Sequence, residues 1–552
     1  MTMGDGKAMD RREALKAALI GGAGLAAGGL QGEAAAAREP GAGNSPPPPA
    51  PAPVRWRRGF DNQRIADLGN GFMLNPVLSG DRPDPAILKD GEDYYLTFSS
   101  FDSYPGLTIW HSRDLVNWQP RKPALTRNIG SVWAVSLEKH KGRYFLYIPV
   151  KAEPNEIYVI WADHIDGPWS DPKPLGLHDH IDPCHAVGED GSRWLFLSGG
   201  DRVRLSQDGL SLAGKVEHVY DPWHYPDDWD VEGFSPEGPK IHRHGDWFYM
   251  LTAVGGTAGP PTGHMVIAAR ARSIHGPWEQ HPGNPLVRTE NQSEAWWSRG
   301  HASLVEGPDK RWYTLYHGFE NGFWTLGRQC LLDTIEWTPD GWFKMTGGDL
   351  SQPLPVPKVA RPLPHGMALS DDFSKPLAMG SKWSFFRPAP DEASRVRVAD
   401  GTLHLTGKGL APSSGSPLLL IAGDTSYRFE CDIEIPPGGT AGLVLFYDDK
   451  LYAGLGFDET RFVTHQYGME RGRPANPLGR RMKMRVTNRR HIVSYHTSAD
   501  GGKTWKRFDR GMEVSGYHHN VRGGFLMLRP GLYAAGEGEA IFRDFRFTAL
   551  ED

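Results

Sequence analysis

The sequence predicts an all-β fold, a five-bladed β-propeller followed by a β-sandwich. Three observations predict it. Short strands rich in aromatic and β-branched residues succeed one another from about residue 56, with no long 3.6-residue apolar period among them. Five of these strands begin at an aromatic residue behind a turn, at intervals of 50, 50, 53 and 65 residues. After a proline-dense stretch the strands continue without that repeat.

Residues 1–37 read as an export signal. Arg11-Arg12 precede a mild apolar run from Ala17 to Leu30, and an A-x-A-like site lies within Ala34 to Ala37. Paired arginines ahead of a weakly hydrophobic stretch are the pattern of a twin-arginine signal, which predicts an exported protein, periplasmic or extracellular. The 14-residue run is too short to span a membrane, so no membrane span is expected in the mature protein. Residues 38–55, with four consecutive prolines from Pro46 to Pro49, read as an extended polyproline-type tether.

The propeller is expected over residues 56–350. Its repeated aromatics are Tyr94, Tyr144, Trp194, Trp247 and Trp312. The turns before them are Lys89-Asp90-Gly91, Lys141-Gly142, Asp190-Gly191, His244-Gly245 and Pro308-Asp309. A period near 50 residues with several strands per unit is that of propeller blades. Gly167-Pro168-Trp169 recurs as Gly276-Pro277-Trp278, and His111 to Trp118 reads as an outer turn of the first blade. Residues 351–369 carry Pro353, Pro355, Pro357, Pro362 and Pro364 and read as a linker strapped along a surface. Residues 370–552 suit a two-sheet sandwich of jelly-roll or concanavalin-like type, with strands at 401–406, 441–447 and 524–529.

In each repeat a distinctive residue lies 10 to 12 positions ahead of the aromatic: Asp84, Trp133, Asp182, Glu237 and His301. The innermost strand of a propeller blade lines the central channel. These offsets put the five residues on or just before that strand, where they should meet at one end of the axis. Asp84 lies in Arg82-Pro83-Asp84-Pro85, Asp182 in Ile181-Asp182-Pro183, and Glu237 in Pro236-Glu237-Gly238-Pro239. A lone Asp-Pro pair is ordinarily a turn cap, but three rigidly framed acids in register with a repeat are not explained that way. Three neighbouring carboxylates repel, so at least one pKa must rise, which separates an ionised base from a protonated acid and a group that tunes them. Two carboxyl groups about 6.5–9.5 Å apart suit inverting hydrolysis of a glycosidic bond, with a water held between them. The 19 Trp fit a sugar substrate, because an indole face stacks on the C–H face of a pyranose, although Trp also fills β cores.

Arg82-Pro83-Asp84-Pro85, Val132-Trp133-Ala134, Ile181-Asp182-Pro183, Pro236-Glu237-Gly238-Pro239 and Gly300-His301-Ala302-Ser303 together resemble, in order, the motifs of glycoside hydrolase family 43. The resemblance covers about residues 70–350 and, more loosely, the sandwich, as in the β-xylosidases of that family. It implies a five-bladed propeller acting by inversion on xylosides, arabinosides and related sugars. It implies Asp84 as general base, Glu237 as general acid, and Asp182 as the group that raises the acid's pKa and orients it, with Glu232 as the alternative acid. It implies substrate contacts from Trp133, from Arg328 in Leu326-Gly327-Arg328-Gln329, and from His301. Some members hold a Ca²⁺ through a His and waters, so His301 is expected either to hold such an ion or to hydrogen-bond the carboxylates. No cofactor is expected for the chemistry itself. Cys184-His185, Asp81-Arg82 and Trp296-Trp297-Ser298-Arg299 depart from common β-xylosidases at the pocket's edge, where they bear on sugar identity.

The expected function is therefore an inverting, exo-acting glycoside hydrolase that releases a terminal pentose, xylose first, from oligosaccharides or polysaccharide side chains. An α-L-arabinofuranosidase and a galactan-directed exo-glycosidase are the neighbouring readings, and a non-catalytic carbohydrate-binding propeller is the reading of another class. Fructan-processing propellers need an N-D-P-N-G segment that Asn75-Pro76 does not begin. A net charge of −5 without a basic stripe argues against nucleic acid as a partner. Three cysteines, none in metal-ligand spacing, give neither a disulfide framework nor a zinc site.

Overall fold

The computed structural model describes residues 55–551. The expected export signal, and the expected tether up to residue 54, lie outside the described residues. Five antiparallel blades follow one another, each running from its innermost strand outward. The first comprises Ala86–Asp90, Asp93–Thr97, Gly106–Ser112 and Gln119–Leu125. The innermost strands of the other four are Ser136–His140, Cys184–Val187, Glu237–His244 and Trp296–Glu306. The repeated aromatics lie at or next to the head of each second strand: Asp93–Thr97, Arg143–Lys151, Arg193–Leu197, Trp247–Val254 and Trp312–Glu320. The turn between the first two strands of each blade needs one left-handed residue. Gly91, Gly142, Gly191 and Gly245 supply it in four blades, and Lys310, at φ 65°, in the fifth.

Apolar residues alternate along the strands and fill the wedges between blades. Ile109 meets Leu137 and Leu146 between blades one and two, and Tyr147 meets Leu195 between two and three. Phe196 meets Met250 between three and four. Blades four, five and one share a single core that includes Tyr249, Leu315, Leu96 and the fully buried Trp118.

The ring closes through the chain that precedes blade one. Val77 and Leu78 bond to Cys330, near the head of the third strand of blade five (Gln329–Trp337), and Asn75 makes two side-chain bonds of 2.9 Å with Leu332. Leu354–Pro355, in the proline-rich stretch, then pairs with Phe72–Met73.

The sandwich is an eight-stranded sheet on a seven-stranded one. The last strand of the larger sheet, Ser103–Tyr104, belongs to blade one and pairs with Phe385 and Phe386. Phe101 likewise joins the sandwich core. The strand expected at 524–529 is not one: regular pairing begins only at Arg529. Phe525 takes a left-handed φ of 55°, and Leu528 donates its N–H to Thr325 of the propeller, 2.8 Å away, so this apolar alternation serves a domain contact.

Because strand pairing and core both cross between propeller and sandwich, scanning calorimetry of residues 55–551 is expected to show one unfolding transition. A chain ending at residue 350 is expected to melt at least about 10 °C lower or to be insoluble.

Candidate active site

Four of the five repeat residues meet at the axis, and local backbone aims three of them. Asp84 (φ 57°), Asp182 (φ 55°) and His301 (φ 57°) all sit in the left-handed region, where side-chain-bearing residues are uncommon. Each lies at an inner-strand start or, for His301, at a register shift within the strand, so the twist turns the side chain out of the pleat and into the channel.

His301 is the hub. Its Nδ1 lies 3.5 Å from Asp84 Oδ1, and its Nε2 lies 3.5 Å from Glu237 Oε1 and 3.7 Å from Asp182 Oδ2. Two glycines of the motifs make room for this packing. A Cβ at Gly238 would come within 2.8 Å of His301 Nδ1, and one at Gly300 within 2.5 Å of His264 Nε2. His264 and His317 complete a cluster of three imidazoles with ring centroids 5.2–5.5 Å apart.

The three acids occupy unlike settings. Asp84 accepts from Arg328 Nη1 at 2.7 Å and from Ser99 Oγ at 2.5 Å. Burial alone would push this carboxyl up, but Arg328, His301 and His317 hold it well below the usual carboxylate range. Asp182 has no such guanidinium. Burial, with the charges of Glu237 and Asp84 against those of His301 and Lys240, pushes it up to about 7. Its Oδ2 accepts the N–H of Gly238, the residue after Glu237, at 2.9 Å. Glu237 is the least enclosed, with 19% of its side chain exposed, and Thr257, His264 and His301 approach its Oε1 at 3.5 Å. Burial pulls His301 down, but Asp84, Glu237 and Asp182 raise it overall, which favours an imidazolium. His317 is driven by burial and by Arg328 to about 3, and its Nδ1 accepts the Asp84 N–H at 3.1 Å, so it is neutral.

Trp133 stands apart from the axis, in a wall. Its ring meets Phe525 of the sandwich edge-on at 5.5 Å. Phe525 also stacks on His519, at 3.9 Å, and on Phe101, and it lies 5.3 Å from the Arg328 guanidinium. Asn520 makes two bonds to Gly259 in blade four. The sandwich thus packs against Trp133, Arg328 and a blade-four loop. Glu232, the alternative acid, is exposed and accepts the Ala258 N–H at 2.8 Å, and none of the axial histidines contacts it. His264, His317, Ser99 and Phe525 were not among the sequence-predicted site residues, and nothing local to them in the sequence marks them out.

A Ca²⁺ held through His301 and waters, one of the two expectations for this residue, would have these neighbours. Glu237, His264 and His301 place one donor atom each within 4.8 Å of the others. Ca²⁺ takes six to eight oxygen ligands. Beside one carboxylate oxygen this set offers two imidazole nitrogens, so waters would have to complete such a shell.

A propeller whose axis brings three acids onto one imidazole is an arrangement able to hydrolyse a glycosidic bond through paired carboxyl groups, the class of a glycoside hydrolase. Comparison with known proteins agrees. Residues 73–343 match Glycosyl hydrolases family 43, and residues 370–548 match the Beta xylosidase C-terminal Concanavalin A-like domain. The chain is 31% identical over 384 residues to a xylan 1,3-beta-xylosidase of Vibrio sp., covering 61% of this chain and 69% of that protein. It is 27% identical over 527 residues to a non-reducing end alpha-L-arabinofuranosidase of Bacteroides ovatus, covering 86% and 93%. The crystal structure of a xylan beta-1,4-xylosidase from Bacillus halodurans aligns with TM-score 0.76 and 26% identity, covering 86% of this chain and 99% of that one. The chain belongs to glycosyl hydrolases family 43.

The raised Asp182 carboxyl makes a prediction for stability. The unfolded chain releases this proton near 3.8, whereas the folded protein holds it to about 7. Between those values the folded state binds more protons, so this group costs stability as pH rises through that window and costs most above it. Asp182→Asn removes that cost and keeps an oxygen for the Gly238 N–H. Thermal melts are expected to show the variant more stable than wild type at pH 8, on the order of a few kcal/mol, and equal to it near pH 4.

Proposed function

We propose that this hydrolase releases terminal xylose from the non-reducing end of oligosaccharides or polysaccharide side chains, with inversion. The observation that carries the reading is the contrast between Asp84 and Glu237 on either side of His301. Asp84, held ionised by Arg328 and Ser99, is the base that takes a proton from water as its oxygen attacks the anomeric carbon. Glu237 gives its proton to the departing glycosidic oxygen. Asp182, the tuning acid, steadies its orientation by accepting the Gly238 N–H. Asp84 and Glu237 contact opposite ring nitrogens of His301 at 3.5 Å, an arrangement that leaves room for the separation of about 6.5–9.5 Å that inversion uses. Trp133 and Phe525 form an aromatic wall for the sugar, Arg328 and His301 reach its hydroxyls, and the sandwich packed beside that wall favours chain ends. The chemistry needs no metal on this reading: His301, as an imidazolium between acids, supplies the positive charge that an ion would bring.

Xylose leads because the Vibrio and B. halodurans relatives are named for it. An α-L-arabinofuranosidase is the second reading, favoured by the B. ovatus relative, which this chain matches over 93% of its length. One experiment separates them: rates on a panel of nitrophenyl glycosides, with the first product anomer followed by NMR. β-D-Xyloside turnover with anomeric inversion is expected, and a retained anomer would sink the mechanism. Glu237→Ala is expected to lose about 10²–10⁴-fold on xylobiose and far less on dinitrophenyl xyloside, whereas Asp84→Ala is inactive on both. EDTA is expected to leave wild-type rates unchanged; a loss restored by Ca²⁺ would overturn the metal-free reading.

We also propose that Arg11-Arg12 direct export of the folded enzyme by the twin-arginine route. Among the described residues no helix is long and apolar enough to cross a membrane. Replacing both arginines by lysine is expected to leave the protein in the cytoplasmic fraction on immunoblots, and unchanged export would refute the route.

A further inference from the structure

Asp81 takes no part in the steps above, yet it touches the backbone that carries Arg328. Its Oδ1 accepts the Arg328 N–H at 3.2 Å, and the Arg82 N–H donates to the Arg328 carbonyl at 2.7 Å, so the two dipeptides clamp each other. The fit allows no side chain at Gly327: a Cβ there would fall 2.3 Å from Asp81 Oδ1. From this clamp the Arg328 side chain extends to Asp84.

Asp81 also lines a cavity of about 120 Å³ between blade one and the sandwich, together with Arg82, Ser99 and Arg529. Arg529 belongs to the sandwich, and its Nη1 donates to Ser103 Oγ. Desolvation pushes the Asp81 carboxyl up to about 7 against the pull of Arg328, Arg82 and Arg529, so the site tolerates a neutral group here and the acceptor oxygen matters more than the charge. On its other side the Arg328 loop is held by the sandwich, through Leu528 N–H to the Thr325 carbonyl and His491 Nε2 to Thr325 Oγ1, both 2.8 Å.

We propose that Asp81 is a positioning residue for the general base: its carboxylate oxygen fixes the Gly327–Arg328 backbone so that the guanidinium lands on Asp84. This rests on the assignment of Asp84 as the base. A misplacement of this kind is expected to lower kcat, by taking the guanidinium off the base, and to raise KM to a smaller extent, because Arg328 also reaches the sugar.

The test compares Asp81→Ala and Asp81→Asn in the full chain on the best glycoside of the panel. Asp81→Ala is expected to lower kcat about 10–100-fold. Its KM is expected to rise by no more than about 5-fold, less than kcat falls, a split that a merely looser fold would not give. Asn keeps an acceptor oxygen and is expected to recover kcat to within about 3-fold of wild type. A crystal structure of Asp81→Ala should show the Arg328 guanidinium off Asp84. Should Asp81→Ala not fold, Asp81→Ser, too short to reach the Arg328 N–H, carries the same expectations. An unchanged kcat in the Ala or Ser variant, or an Asn variant as impaired as the Ala variant with Arg328 still on Asp84, would overturn the proposal. Wild-type protein inert on every glycoside would instead refute the proposed function, and the position of Arg328 in the variant crystal would still decide the role of Asp81.

Discussion

The contact between Arg328 and Asp84 joins the two ends of the propeller ring. Asp84 stands at the start of blade one and Arg328 at the head of the third strand of blade five, and the chain from Asn75 to Arg82 is laced to that strand by backbone and side-chain bonds. A carboxylate as buried as Asp84 is costly without a partner. The partner arrives only when the ring is shut. Closure of the fold and ionisation of the axial acid are therefore one event, and the other axial residues take their places around it.

Once that pair is made, the remaining charge at the axis is unbalanced. Asp182 and Glu237 share His301 and the more distant Lys240, and the shortfall falls on Asp182, which burial and its neighbours push towards the neutral form. The left-handed backbone at Asp84, Asp182 and His301 adds local strain in the same few residues. Strain and crowded charge thus gather where the chemistry is proposed, while the wedges between blades are filled by well-buried apolar side chains.

What the sequence disclosed follows from how local each signal is. The blades were legible because every one repeats an aromatic strand behind a left-handed turn, a pattern contained in a few residues. Asp84, Asp182 and Glu237 were legible because prolines and glycines beside them mark a fixed backbone, and the common offset separated Glu237 from the nearby Glu232. His264 and His317 were not, being two of 22 histidines. They reach the axis through close approaches, such as His264 over Gly300, that only the assembled ring creates. The stretch at 524–529 misled because apolar alternation reports contact and not the partner: Phe525, partly buried, packs against Arg328 and Trp133 instead of a neighbouring strand. Trp133 shares the repeat offset with the axial residues but leans on the sandwich, and no interval within the propeller contains that information.

The two-residue strand Ser103–Tyr104 has a wider consequence. A sandwich cut free of its propeller would end on Ser384–Phe386 with an open row of amides and carbonyls, and such raw edges recruit strands from other chains. This C-terminal half is thus not a portable module. Any gene fusion that transplants it must also carry a matching splint in the host's first blade, so the two halves are expected to be inherited together.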